Sequence, residues 1–545
     1  MMKWSTAAIL VGCLFGATTT ANILPKHRSL FRPPPPPEAD QVASALKARS
    51  TGTGVFEQLI DHDDPSLGTF SQRYWWNDEF WAGPGSPVVF FTPGEGAADG
   101  YEGYLTNRTI TGMFAQAIQG AGVMLEHRYW GESSPFDDLT AENLQYLTLP
   151  QSIKDITYFA KNVVFPFDTN GSSQATRAPW VFSGGSYSGA LAGWVEAVDP
   201  GTFWAYHASS AVVEAISDFW QYFAPIQAGM PPNCSADLSL VIDHVDAVLA
   251  NGTAADKAAL KAPFGALASL AHDDDFASAL ENGPWQWQGN QFYTDYSTFY
   301  EFCDYVENAA PSLMSNSTTT TAPSATADGV GLEKALAGYA AWMRDVLLPG
   351  YCASYGYAEW TDEDSVGCFD TYDAASPIFA DRSVANAANR QWEWFLCNEP
   401  LDFWQDGAPA GTPSIVSRLV TPGYWERQCG LFFPDGGGDA PTYGHAEGKT
   451  VDDVNAYTGG WSRTNTTRVV WVNGEFDPWR DATVSSDFRP GGPLQSTEAA
   501  PVFVIPDGIH CSDLLTSNAE ANEGVREVVD AVVAQVVAWV GEYYK

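Results

Sequence analysis

The sequence predicts an α/β fold in which a mostly parallel sheet is flanked by helices and interrupted by a large helical insertion. Three observations predict it. Short apolar runs recur near both ends of the chain, segments with helical spacing lie between them, and the middle of the chain consists mostly of helix-like and loop-like segments. Continuous apolar runs that end in polar or Gly-rich loops are typical of strands buried on both faces of a sheet.

The first part of the sheet is predicted within residues 50–200. Strand-like runs begin at Ser86 ("SPVVFFTPGEG"), Gly120 ("GAGVMLEHRYWGES") and Ala178 ("APWVFSGGSYSG"). The segments "LTNRTITGMFAQAIQGAG" and "LTLPQSIKDITYFAKNVVFP" between them have the apolar spacing of helices. This alternation predicts parallel strands joined by right-handed crossovers.

The alternation stops near Pro200, and residues 201–385 are predicted to form a helical cap insertion. Within it, "SNSTTTTAPSATADG" from Ser315 is too polar and too simple to pack. Strand signals return at Thr467 ("TRVVWVNGEFDPW") and Ala500 ("APVFVIPDGIH"), and a helix with valines on one face follows. Residues 386–545 are therefore expected to complete the α/β domain.

The N-terminus predicts export. Residues 1–21 have one lysine, a short apolar stretch and small residues, which is the pattern of a cleaved signal peptide. Residues 22–49 contain five consecutive prolines, which favour an extended coil, and are interpreted as a removed propeptide or as a disordered leader. We expect a protein that is secreted or delivered to an acidic vacuolar or lysosomal lumen.

Charge excludes two classes of partner. The chain has 27 Lys and Arg against 66 Asp and Glu, a formal charge of -39, which repels nucleic acids and anionic membranes. After the signal peptide no run reaches about 18 apolar residues, so no membrane span is predicted. A protein with this excess of acidic residues stays soluble when part of its carboxylates is protonated. The excess is interpreted either as adaptation to acidic surroundings or as a general means of solubility.

Cysteines and sequons fit an oxidising compartment. Cys13 lies in the signal peptide, and the other seven cysteines include no C-x-x-C pair that would indicate a metal site. About three disulfides are expected with one thiol left over, for which Cys511 is the candidate. Six N-x-Ser/Thr sequons are candidate glycosylation sites: Asn107, Asn170, Asn233, Asn251, Asn316 and Asn465.

A nucleophile is predicted in the run "SGGSYSG". In an α/β-hydrolase the nucleophile occupies a tight turn between strand and helix, so the residues two before and two after it must be small. Ser183 has Val181 two before it, and Ser188 falls inside the following helix. Ser186 has Gly184 and Ser188 at these positions and is the predicted nucleophile. A plain turn is the alternative; a phosphate loop is excluded because no lysine follows at the required spacing.

A base and an acid are predicted in the order that this fold requires, serine, then acid, then histidine. His510 is the only histidine after the strand "VVWV", and it follows the strand "VFVI". Asp477 follows "VVWVNG" and competes with Glu475 and Asp481; we prefer Asp477 because Pro478 stiffens its turn. A serine hydroxyl needs such a base, and the base needs an acid to orient it.

An oxyanion hole requires two backbone N–H groups. One is expected from Tyr187, directly after the nucleophile, and one from the loop "TPGEG", at Gly94 or Glu95. A simple turn is the alternative interpretation of those glycines.

Five motifs carry a family resemblance: "TFSQRYWWN", "EHRYWGES", "GGSYSG", "NGEFDPW" and "PDGIHCSDL". In this order they resemble the signatures of the prolyl carboxypeptidase and dipeptidyl peptidase II family of serine peptidases. The resemblance implies an α/β-hydrolase fold with a helical cap, cleavage after proline, usually at acidic pH, and neither cofactor nor metal. Carried over by position, it implies the nucleophile Ser186, the acid Asp477 and the base His510.

The resemblance implies two further features. Trp479 falls where the family has an aromatic wall for the proline ring; a core tryptophan is the alternative interpretation. Cys397 falls where the family has a cysteine that would form a disulfide with Cys429. Cys511 departs from the pattern, because relatives often have a second histidine after the base. Activity in acid also requires His510 to stay neutral below the ordinary imidazole pKa of about 6.5, or a small neutral fraction to suffice.

The mode of cleavage is open at this stage, because no cap segment aligns with the family. Carboxypeptidase, dipeptidyl or tripeptidyl exopeptidase, and endopeptidase all remain; the proline-rich leader and acidic composition most resemble fungal acid prolyl endopeptidases. The expected substrates are proline-containing peptides and proteins, with alanine as a second residue type before the cleaved bond. An esterase on the same fold and a non-catalytic secreted binding module are the alternatives, and the oligomeric state is undetermined.

Overall fold

The computed structural model of the protein describes residues 33–35, 50–310, 329–434 and 442–545. The predicted signal peptide, the rest of the predicted leader and the Ser/Thr/Ala-rich segment with Asn316 lie outside the described residues.

Ten strands are present in these ranges. They are β1 Thr51–Leu59, β2 Thr69–Asn77, β3 Val88–Phe91, β4 Ala121–Leu125, β5 Trp180–Gly185, β6 Ala205–Ser209, β7 Ile216–Asp218, β8 Asp402–Trp404, β9 Val469–Gly474 and β10 Val502–Ile505. Eight of them form one sheet in the order β1-β2-β4-β3-β5-β6-β9-β10, and β7 pairs with β8 in a small second sheet.

The central sheet is mostly parallel, which confirms the predicted fold class. From β4 to β10 all neighbours are parallel, whereas β2 runs antiparallel to both β1 and β4. The five strands predicted from apolar runs are β3, β4, β5, β9 and β10. The β1–β2 hairpin was not predicted, because β1 lies at the edge of the sheet and every second residue of it faces solvent instead of forming an apolar run.

The predicted boundaries of the insertion need correction. Strand β6, with the sequence "AYHAS", lies inside the range assigned to the insertion, and it is buried although it lacks an apolar run. At the other end, several elements after residue 385 still precede β9. The insertion therefore extends from the end of β6 at Ser209 to the start of β9 at Val469, so it begins later than the predicted residue 201 and ends later than the predicted residue 385.

Seventeen α-helices are present in the described ranges. Before β6 lie α1 Ile110–Ala117, α2 Ala141–Leu144, α3 Leu149–Asn162 and α4 Tyr187–Val198. The next eight are α5 Phe223–Gly229, α6 Pro232–Asn251, α7 Ala254–Lys261, α8 Asp273–Leu280, α9 Asn282–Trp285, α10 Thr298–Val306, α11 Leu332–Trp342 and α12 Pro377–Ala380. The last five are α13 Arg390–Asn398, α14 Pro422–Phe432, α15 Val451–Thr458, α16 Thr516–Ala521 and α17 Glu523–Tyr543. In the ranges that the structure describes, none of the helices is both long enough and apolar enough to cross a membrane.

Apolar clusters cover both faces of the sheet. Along β3 the side chains alternate, so that Val88 and Phe90 join one cluster and Val89 and Phe91 the other. Helices α3 and α4 supply the first cluster, whereas α1 and the valine face of α17 supply the second. A sheet covered on both faces explains why its central strands are continuous apolar runs.

The described part of the insertion holds three disulfides. Cys234 bonds to Cys303 and Cys352 to Cys368 within the insertion. The third disulfide joins helices α13 and α14 through Cys397 and Cys429, the pairing that the resemblance implies. Cys511 is the free cysteine of the described residues and is buried. The expected three disulfides with one thiol left over are confirmed.

The sequons differ in accessibility. Four of the asparagines are exposed, namely Asn107, Asn170, Asn251 and Asn465. Asn233 is half-buried beside the disulfide of Cys234. Glycan attachment therefore needs less rearrangement at the four exposed positions than at Asn233.

Candidate active site

Ser186 occupies a strained turn between β5 and α4. Its backbone has φ 59° and ψ -130°, a conformation that residues with a side chain rarely adopt. It stands at the N-cap position of α4, yet its hydroxyl makes no capping hydrogen bond. Strain of this kind persists only where the surrounding structure enforces it, and here it leaves the hydroxyl free of the usual helix-start role.

The glycines before Ser186 are required by close contacts. A Cβ atom on Gly184 would lie 2.3 Å from the carbonyl oxygen of Ser188. On Gly185 it would lie 2.6 Å from Leu514 and 3.0 Å from the sulfur of Cys511. The small-residue rule used to select Ser186 therefore has a direct steric cause in this structure.

The hydroxyl of Ser183 belongs to a buried hydrogen-bond network. Its Oγ lies 3.1 Å from His207 Nδ1, and His207 Nε2 lies 2.8 Å from Asp513 Oδ2. Ser209 donates to the other oxygen of Asp513. All four side chains are buried. This network joins β5 and β6 to the segment that follows His510, and it was not predicted from the sequence.

Asp477 and His510 are hydrogen-bonded. The Nδ1 atom of His510 lies 2.9 Å from Asp477 Oδ1, which also accepts the backbone N–H of Trp479 at 3.0 Å. Asp477 follows β9 and His510 follows β10, two adjacent parallel strands whose carboxyl ends meet at one edge of the sheet. Both side chains are buried, so the carboxylate orients the ring without competition from water.

The two competing acids lie elsewhere. Glu475 accepts the backbone N–H of Asp507. Asp481 accepts hydrogen bonds from Ser486 and from the backbone of Asp487, and burial raises its pKa to about 6. The structure thus brings Asp477, and neither competitor, to the imidazole of His510.

Ser186 Oγ and His510 Nε2 are both buried, and neither atom makes a hydrogen bond to another described residue. The loops that carry them are in contact, because Cys511, next to His510, packs against Gly185, next to Ser186. The backbone N–H of Cys511 also donates to Ser210 Oγ at 2.9 Å, and Ser186 N donates to the carbonyl of Ser209 at 2.9 Å. The end of β6 therefore contacts both loops.

The surroundings of His510 favour its charged form. Burial lowers the pKa of His510, but negative charge on Cys511 and on Asp477, with their hydrogen bonds, raises it, and the net effect raises the pKa to about 10. The sequence analysis gives two routes to activity in acid, a neutral His510 or a small neutral fraction that suffices, and the direction of this shift opposes the first.

The expected oxyanion loop packs against the start of α4. Gly94 has φ 76°, and a Cβ atom there would lie 3.3 Å from the ring of Tyr187 and 3.6 Å from the backbone nitrogen of Ser188. The loop is held from both sides: Asn389 donates to the carbonyl of Glu95 at 3.2 Å, and Ala98 N donates to the buried carboxylate of Glu126 at 2.9 Å. Asn389 was not singled out in the sequence, because no local pattern marks a contact across so many residues.

Trp479 lies in a cluster with aromatic residues of the insertion. Its side chain is fully buried, with ring centroids 5.6 Å from Phe219, 5.1 Å from Tyr222 and 5.4 Å from Phe403. Its Nε1 donates to Gln288 at 2.8 Å. In this structure Trp479 packs as a core residue whose faces are all covered.

Comparisons with known proteins agree with this geometry. A family model described as Serine carboxypeptidase S28 matches residues 58–532. The serine protease vicPb of Bipolaris victoriae is 45% identical over 494 residues, which span 91% of this chain and 90% of that protein. A probable extracellular serine carboxypeptidase of Arthroderma benhamiae is 30% identical over 505 residues, 90% of this chain and 66% of that protein.

These matches confirm the resemblance drawn from the five motifs and make the protein a serine-type peptidase. The chain belongs to the serine carboxypeptidase S28 family.

Proposed function

We propose that the protein is a secreted peptidase that hydrolyses peptide bonds on the carboxyl side of proline, with alanine as a second residue type, in acidic surroundings. Ser186 is the proposed nucleophile, Asp477 the acid and His510 the base. The observation that carries this proposal is the buried Asp477–His510 hydrogen bond beside a serine held in a strained turn. The relative described as extracellular and the exposed sequons support secretion.

The proposed reaction forms and then hydrolyses an acyl-enzyme. As Ser186 Oγ attacks the carbonyl carbon after proline, its proton passes to His510 Nε2, and Asp477 stabilises the resulting imidazolium. The imidazolium then gives the proton to the leaving amine. In the second half water attacks the acyl-enzyme while His510 takes its proton, and His510 returns this proton to Ser186 Oγ as the acid product leaves. Tyr187 N and a second N–H, from Gly94 or Glu95, are the proposed donors to the oxyanion.

Proline preference is proposed from the family resemblance and from the aromatic cluster next to Asp477. An apolar pyrrolidine ring packs well on aromatic faces. For a proline ring to touch Trp479, the rings of Phe219 or Phe403 have to move away, because the tryptophan is fully covered. A proline-binding role of Trp479 stays a prediction.

Cys511 connects the raised pKa of His510 with the proposed acidic working pH. Negative charge on Cys511, together with that on Asp477, raises the pKa of His510. In a variant without the Cys511 sulfur only Asp477 opposes the effect of burial, and a larger fraction of His510 is neutral than a pKa of about 10 implies.

We therefore expect Cys511→Ala to lower the pKa of His510 and to move the acid limb of kcat/KM to lower pH than in the wild type. A larger fraction of the imidazole is then neutral and can accept the serine proton. The measurement is kcat/KM against pH for both proteins. Identical profiles over the whole range would show that the thiol has no part in setting the base.

The central experiment is a digest of one defined peptide with a single internal proline, prepared with free and with blocked ends and analysed by mass spectrometry. We expect a cut after proline in the fully blocked peptide, the result for an endopeptidase. A cut that needs a free carboxyl end indicates a Pro-X carboxypeptidase, and one that needs a free amino end indicates a dipeptidyl or tripeptidyl exopeptidase.

Two results contradict the proposal. Turnover of short acyl esters with no cleavage of any proline peptide would assign an esterase. Absence of both activities, with no covalent labelling by a fluorophosphonate, would assign a non-catalytic binding module on the same fold.

A further inference from the structure

Two tyrosines bind the short leader segment that the structure describes. The hydroxyl of Tyr101 donates to the carbonyl of Pro33 at 3.1 Å, and the hydroxyl of Tyr104 donates to the carbonyl of Pro34 at 2.6 Å. Pro33 is buried, Pro34 is half-buried and Pro35 is exposed. The first prolines of the five-proline run thus lie against the folded domain.

The sequence places both tyrosines on one face. They are three residues apart, at and within the short 3₁₀ turn Glu102–Leu105, and side chains with this spacing are eclipsed in a 3₁₀ turn. Their rings stack with centroids 5.8 Å apart, and Tyr104 stacks on Phe91 of β3 at 4.3 Å. Burial raises the pKa of Tyr104 well above its usual value, which keeps its hydroxyl a donor.

Polyproline suits this surface chemically. A polyproline helix has no internal hydrogen bonds, so its carbonyls are free acceptors, and its fixed backbone loses little entropy on binding. Aromatic grooves with hydroxyl or N–H donors are a recurrent way to bind such segments. Tyr101 and Tyr104 provide both the rings and the donors.

The surface adjoins the loop of the proposed base. Tyr104 belongs to the same apolar cluster as Cys511 and Leu514. The chain just after the tyrosines is hydrogen-bonded to the chain just after His510, since Ile110 N donates to the carbonyl of Leu514 at 3.0 Å. A segment bound to the two tyrosines therefore lies close to the catalytic loop.

We propose that Tyr101 and Tyr104 form a binding site for polyproline segments, which holds residues 33–35 of the leader in the full chain and binds proline-rich segments of polypeptide substrates after leader removal. The leader half of this proposal, binding of residues 33–35, is supported by the hydrogen bonds of the two tyrosines to Pro33 and Pro34. The substrate half rests on the proposed function.

The leader half is tested by fluorescence anisotropy with the fluorescein-labelled peptide LFRPPPPPEA, residues 30–39. The full chain carries Ser186→Ala so that the peptide stays intact. Replacing the five prolines of the leader by serine vacates the site, and we expect this chain to bind the peptide at least about tenfold more tightly than the chain with an intact leader, which competes intramolecularly. The peptide LFRSSSSSEA is the matched probe that should not bind.

Adding Tyr101→Phe and Tyr104→Phe to the vacated chain keeps both rings and removes both donors, so we expect at least about fivefold weaker binding. Tyr544→Phe is the control, because it removes a hydroxyl that donates to the carbonyl of Gly85 elsewhere. Thermal unfolding of each variant checks the fold. Equal affinity with and without the leader prolines, or with and without the two hydroxyls, overturns the proposal.

The substrate half is tested in the vacated chain with Ser186 intact. The ratio of KM for a long peptide with a polyproline segment to KM for a short blocked proline substrate should rise about fivefold in the double Tyr→Phe variant. An unchanged ratio overturns the substrate half. If no proline substrate is cleaved, that half falls with the proposed function, whereas the anisotropy result still decides the leader half.

Discussion

Ser186→Ala is expected to lower kcat by about 10⁶-fold and to abolish covalent labelling by a fluorophosphonate. The reason is local: the hydroxyl stands at a strained turn, is buried and has no structural hydrogen bond among the described residues that its removal would break. Steady-state kinetics and intact-protein mass spectrometry measure the two effects. The variant should unfold at nearly the wild-type temperature, because only one unbonded oxygen is lost.

Ser188→Ala is the matched control for this variant. Its hydroxyl is also buried without a hydrogen-bond partner in the described part of the chain, but it points from the first turn of α4. Labelling should persist in Ser188→Ala. If labelling instead survives in Ser186→Ala and disappears in Ser188→Ala, the nucleophile has been assigned to the wrong serine.

Asp477→Asn is expected to lower kcat by about 10⁴-fold with little change in KM for a short substrate. The amide can present its N–H group to His510 Nδ1, which favours the tautomer that has no free lone pair at Nε2. Because Asp477 raises the pKa of His510, its replacement should also move the acid limb of kcat/KM to lower pH. Kinetics over a range of pH measures both effects.

Asp481→Asn is the comparison for Asp477→Asn. Asp481 is also buried and only four residues away, but its partners are Ser486 and the backbone of Asp487. We expect its turnover to stay near that of the wild type. A larger loss of kcat in Asp481→Asn than in Asp477→Asn would contradict the arrangement seen at His510.

The elements that the sequence predicted are those with a local signal. Strands β3, β4, β5, β9 and β10 are apolar runs because helices cover both faces of the sheet. Ser186 was selected because crowding excludes side chains at Gly184, and crowding is visible in the sequence as a run of small residues. His510 is predicted by elimination, since it is the only histidine after the strand "VVWV".

What the sequence did not predict depends on contacts between distant residues. Strand β6 is short and holds the buried polar His207, whose partners Ser183 and Asp513 lie in other segments. Asn389 supports the loop at Glu95 across nearly three hundred residues. No period or spacing in one chain reveals such pairs, and the limits of the insertion were misplaced for the same reason.

The order of elements along the chain bears on how the enzyme is made. The proposed nucleophile Ser186 precedes the insertion, whereas the proposed acid Asp477 and base His510 follow it. While a ribosome is still synthesising the insertion, the emerging polypeptide carries a serine without its imidazole or carboxylate, so proteolysis cannot begin before translation is nearly finished. Proteins near the ribosome are thereby spared from cleavage by an incomplete protease.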